Sequence, residues 1–134
     1  MSELSVHDNT IVAYKVDHDR RRIVINTVFK HSDSHEHTNV VFEGVLAYRF
    51  ECDNFDNCIF GIEEESIEQL VKREAPSFEY GVQYDWPGSW NTSPEASIEY
   101  LKAHNGKAFS VAASTGMWGW VVAESFELQA TTAF

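Results

Sequence analysis

The segment His31-Ser32-Asp33-Ser34-His35-Glu36-His37 holds the densest set of metal-competent side chains in the sequence. Imidazole nitrogens and carboxylate oxygens in one stretch suit zinc, copper or nickel. On an extended backbone His35 and His37 would point to the same side, with His31 curling back toward them. The stretch falls between two strand-like segments, where polar residues accumulate, and no second ligand run accompanies it. We expect adventitious affinity only, and assign neither a metal nor a cofactor.

The other chemical side chains are dispersed. Cys52 and Cys58 flank a turn, which brings two thiols within range of a redox pair. The simpler reading is two reduced strand residues, since no export signal accompanies them. Ser110 and Ser114 lack a G-x-S-x-G elbow, and no Walker loop or G-x-G-x-x-G is present. His7-Asp8 makes a dyad on paper, but starting the first strand is its simpler role. His18 and His104 sit at turns. The carboxylates Glu63, Glu64, Glu65 and Glu68 read as a solvated approach to a helix, or alternatively as a docking patch for a basic partner. No catalytic residue is assigned.

Residues 78–90 are unusually aromatic: Phe78, Tyr80, Tyr84, Trp86 and Trp90, interleaved with Asp85 and the breakers Pro87-Gly88. Trp118 and Trp120 add to them from the end of the chain. A loop so apolar either packs as a lid over an open sheet face or presents a recognition surface, because Trp and Tyr dominate binding hot spots. The candidate partner-binding set is Glu64, Glu65 and Glu68 from the acidic run, with Tyr84, Asp85, Trp86, Trp90 and Trp118 from the aromatic residues.

Alternation with a period of two predicts the elements that must carry these groups. Ile11–Val16 and Ile23–Phe29 flank the polar turn 17–20. Val40 and Phe42 share a face. Gly44 then marks a bulge or a bend, and Leu46, Tyr48, Phe50 and Cys52 alternate beyond it. The turn formers Asp53–Asn57 lead into a fifth strand at Cys58–Ile62. Ser66-Ile67-Glu68-Gln69 has the form of a capping box, and a second helix starts at Ser93-Pro94 and stops at Asn105-Gly106. Ala108–Ala113 and Trp120–Leu128 close the chain as a hairpin around Ser114-Thr115-Gly116. The expected fold is α+β in a single domain: a mainly antiparallel meander of about seven strands, with two helices between strand five and the closing hairpin.

Composition narrows the function further. Asp and Glu number 21 against 10 Lys and Arg, a net charge of −11 over 134 residues, with 43% hydrophobic and 13% aromatic residues. Such a chain has ample material for a core. Its charge repels nucleic acid and anionic membrane and favours a basic protein partner. Its apolar runs are far shorter than the roughly 20 residues a membrane helix needs. The start of the sequence lacks the basic and apolar regions of a signal peptide, so a cytoplasmic location is expected.

Three segments, HDNTIVAYKVD, FEGVLAYRFECDNFDNCIFGIEE and GMWGWVVAESFEL, together cover about a third of the chain. In them the chain resembles compact acidic bacterial domains of the immunity type found in toxin systems. The resemblance implies a single-domain cytoplasmic protein that neutralises a toxin by binding it, and carries over no site residue. Two alternatives accompany that expectation. One is a small-ligand site or enzyme under the aromatic loop, with Asp85 or a histidine as its polar group. The other is a structural subunit that self-associates through a strand edge.

Overall fold

The computed structural model describes residues 4–30 and 35–132. Its strands are β1 (Thr10–Asp17), β2 (Arg22–Phe29), β3 (Glu36–Glu51), β4 (Cys58–Glu65), β5 (Lys107–Thr115) and β6 (Trp118–Thr131). Helices α1 (Ile67–Arg73), α2 (Ala75–Gly81) and α3 (Pro94–Ala103) lie between β4 and β5, with a 3-10 turn at Val82–Tyr84. An α+β fold with an antiparallel sheet is observed, with six described strands rather than seven and three helices rather than two.

Each difference has a local cause. The two strands expected around Gly44 are one strand, β3. Gly44 adopts φ +63°, open to glycine at little cost, and the register with β6 slips between Val45 and Ala47. The bulge kinks the strand without ending it. Val40 and Phe42 before it, and Val45, Tyr48 and Phe50 after it, join the inner core, whereas Ala47 joins the outer one. The third helix, α2, occupies the start of the aromatic loop, with Pro76 in its first turn, where the missing amide costs no hydrogen bond.

The strands do not form a simple meander. β1, β2 and β3 follow one another, but β3 then pairs with β6, giving a barrel in the order β1-β2-β3-β6-β5-β4. The turn at 53–57 redirects the chain. The Asn57 amide donates to the Asp53 carboxylate at 2.7 Å and to the Asn54 carbonyl at 2.9 Å, while its oxygen accepts from the Met117 amide at 2.8 Å. Closure between β1 and β4 is narrow. It consists of the Thr10–Cys58 pair, with bonds from Ile11 N to Asn57 O, Ile59 N to Asn9 O and Asp8 N to Ile59 O, each 2.9 Å. Cys52, just past β3, and Cys58 at the start of β4 are free thiols.

Two apolar layers result. Ile23 and Ile25, Val40 and Phe42, Ile59, Val111 and Val121 fill the barrel, where the Phe42, Phe109 and Phe126 rings meet with centroids 5.3–5.7 Å apart. On the outer face of β3, β5 and β6, the residues Ala47, Ala108, Trp120 and Val122 are covered by Ile67, Leu70 and Val71 of α1, Phe78 of α2 and Leu101 of α3. The Ser66 hydroxyl accepts from the Gln69 amide while the Gln69 side chain accepts from Ser66 N, so the expected capping box starts α1. Ser93 caps α3 in the same way, accepting from Ala96 N. No helix among the described residues is long and apolar enough to cross a membrane.

Candidate functional site

Arg49 lies on the outer face of β3, in register with Trp120 of β6, and Glu51 is in register with Trp118. Its guanidinium donates to Glu51 Oε1 at 2.6 Å and to the Ser77 hydroxyl of α2, and lies 5.9 Å from the centre of the Trp86 ring. Glu74, between α1 and α2, sits 3.8 Å from Arg49 Nη1 and accepts from the Trp120 indole at 3.0 Å. Its other oxygen is 3.4 Å from Arg73, which also grips Glu65 with two bonds. The Glu65 carboxylate holds Arg73 protonated more firmly than a free arginine. A chain of ion pairs, Glu65–Arg73–Glu74–Arg49–Glu51, thus runs from the end of β4 to the rim of the aromatic cluster.

The aromatic segment is pinned from beneath. Asn91 is buried, and its amide donates to the carbonyls of Phe78 at 2.7 Å and Trp86 at 3.0 Å. Its oxygen accepts from the fully buried Ser97 of α3 at 2.8 Å. Buried polar groups satisfied this completely fix a loop rather than loosen it. Gly81 permits the close approach of Trp86, since a Cβ there would fall 2.4 Å from the Trp86 carbonyl oxygen. A cis peptide bond joins Trp86 to Pro87. The Trp86 ring is half-buried and stands edge-on to Phe78, with centroids 5.8 Å apart.

Above this base, Tyr80 and Tyr84 project from α2 and the following 3-10 turn with their rings 5.7 Å apart, 65% and 66% exposed. Together with Pro76, Trp86 and Arg49 they bound an open hollow of about 530 Å³. Asp85 closes the 3-10 turn in the left-handed region at φ +53°, exposed at the rim.

Of the residues anticipated from sequence, Tyr84, Asp85 and Trp86 come together, and Trp118 stands beside Glu51 at the edge of the cluster, 42% exposed. Trp90 does not join them; it stacks on Tyr100 of α3 at 5.0 Å with the rings nearly parallel. The acidic run is divided. Glu65 is committed to Arg73 and Glu68 to Lys102 at 2.7 Å, whereas Glu64 is exposed on β4. The Lys102 ammonium holds the Glu68 carboxyl below the usual carboxylate range.

Arg49, Ser77, Glu74 and Tyr80 complete the cluster. Arg49 and Trp120 meet through the register of β3 with β6, and the α1–α2 junction brings Glu74 to both, so no local pattern announces them. The Tyr80-Tyr84 spacing, one helical turn, was a usable signal. Phe55 also stands out. At the tip of the hydrogen-bonded 53–57 turn, between Asp53 and Asp56, it is fully exposed.

The Ser77 hydroxyl accepts from Arg49, and the groups around it supply ring faces, a matched guanidinium and carboxylates. Among the described residues no three His, Cys, Asp or Glu side chains converge as metal ligands. His35 precedes β3 and His37 lies on it, while His31 falls outside the described residues. No protein-family model, curated protein or solved structure matches this chain.

Proposed function

We propose that this chain is a small acidic protein-binding domain that acts in the cytoplasm as an immunity-type inhibitor of a bacterial toxin. The observation that carries the reading is the exposed Tyr80–Tyr84 pair above the apolar hollow bounded by Trp86. Two large rings left in water, on a base fixed by Asn91, are pre-organised: a partner that covers them gains apolar area and orders little new structure. The net charge of −11 favours a basic partner and speeds its encounter at low salt. The likeness of three segments to immunity proteins points the same way.

The test is affinity capture of the tagged protein from its native lysate at low and moderate salt, read by mass spectrometry. One stoichiometric partner is expected, and a Tyr80→Ala/Tyr84→Ala variant should hold it about tenfold or more weakly. Capture of nothing but the protein itself, or undiminished binding by the variant, would defeat the reading. A second reading follows from the size of the hollow, which lies within the ~300–1,000 Å³ typical of small-molecule sites. Under it, a metabolite would raise the melting temperature of wild type and not of the tyrosine variant.

A further inference from the structure

The ladder between β2 and β3 ends at Arg22–Glu43, with one further bond from Val45 N to Arg21 O, yet β3 stays paired with β6 as far as Glu51. Residues 46–51 therefore have a strand on one side only. A strand directs half of its peptide groups to each edge, so the edge turned away from β6 carries free donors and acceptors. Among the described residues no backbone bond reaches it.

This edge opens into a hollow of about 480 Å³ between β3 and the tip of the β1–β2 hairpin. Its lining includes every residue from Leu46 to Phe50 in succession. Side chains alternate faces along a strand, so an unbroken run of five marks exposure of the edge itself rather than of one face. Val16, Ile23 and Val45 are among its apolar lining, and Trp86 and Pro87 line it too. Arg21, at the opposite wall, donates to the Val45 carbonyl and is the one arginine there without a carboxylate partner among the described residues: Arg22 holds Glu43, and Arg49 holds Glu51 and Glu74.

We propose that this slot receives an extended segment of a partner protein as an added strand beside β3, with apolar side chains entering the hollow and a carboxylate meeting Arg21. The proposal rests on the protein-binding reading above and names how part of the partner is held. A second copy of this chain is a poorer occupant. Two copies at −11 each repel.

The probe is a displayed random-peptide library panned on the wild-type protein, followed by a synthetic copy of the selected peptide. On binding, alternate amides between Leu46 and Phe50 should exchange about tenfold or more slowly. Arg21→Glu should weaken the peptide by about tenfold or more, and the Tyr80→Ala/Tyr84→Ala variant should leave it unchanged. N-methylation of alternate peptide amides, which leaves the protein untouched, should abolish binding in one register and spare it in the other. A peptide kept by Arg21→Glu but lost by the tyrosine variant would overturn the slot while leaving the aromatic face standing. Equal binding by both N-methyl series, a library that yields no binder, or amides that slow with protein concentration alone would also overturn it.

Discussion

The acidic run and the aromatic face sit at opposite ends of one chain of ion pairs, and they differ in what they leave free. Glu65 and Glu68 are bound internally, to Arg73 and Lys102. Tyr80 and Tyr84 lean on each other and stay about two-thirds exposed. A count of charges thus overstates the acid left exposed on β4 and α1, and a count of rings overstates the aromatic surface too, since Phe78 and Trp120 are buried and Trp90 is stacked on Tyr100. Availability depends on which groups the fold has already satisfied. Residues whose electrostatics are settled inside the molecule act as its framework, and those left unmatched are where another molecule can gain.

The comparison breaks most severely at Trp120, whose ring is 1% exposed beneath Phe78 and Trp86. Trp120→Ala should cost about 3–5 kcal/mol in urea unfolding, whereas Glu64→Ala on the exposed side of β4 should stay within about 0.5 kcal/mol. Asn91→Ala removes the clamp under the aromatic segment. It should cost about 1–3 kcal/mol and broaden the Trp86 signals in NMR spectra while the α1 amides stay put. Further down the scale, a double-mutant cycle of Glu65→Gln with Arg73→Gln should give a coupling of about 0.2–1 kcal/mol, discounted because Arg73 is half exposed. A coupling beyond this range would mean that the ion-pair chain acts as one unit.

The smallest effect is one of pH. Because Lys102 depresses the folded-state titration of Glu68, their attraction is fully present above the ordinary carboxylate range of about 4.3 and fades as pH falls through the lower folded value. Lys102→Met should raise the Glu68 midpoint in a carbon-detected NMR titration and flatten the acid limb of stability at this pair. An unmoved midpoint would show that the lysine has no such hold.

Local chemistry made much of the fold legible. β1 and β2 follow from alternation, α1 from its capping box and α3 from Ser93-Pro94. The pairing of β3 with β6 is not legible because either edge of an alternating strand can pair, and local pattern does not say which strand takes it. α2 is not legible because a run as short as Ala75–Gly81 lacks a clear apolar period; its Phe78 packs on Trp120, far away in sequence. For the site, residue type identified Tyr84 and Trp86, since rings so dense in a loop must be used somewhere. Type could not separate Trp90, consumed by Tyr100, from Trp86, nor supply Arg49 and Glu74, whose contacts exist only after β3 has met β6 and the α1–α2 junction has packed over them.

That meeting has a consequence in time. β6 follows every other described element, and β3 must wait for it across β4, three helices and β5. Closing so long a loop is slow by topology alone. While the chain emerges from the ribosome, β1, β2 and the first half of β3 can assemble early, but the second half of β3 has no strand neighbour on either side until β6 has emerged. Expression at reduced chaperone capacity should therefore yield aggregates nucleated at that stretch.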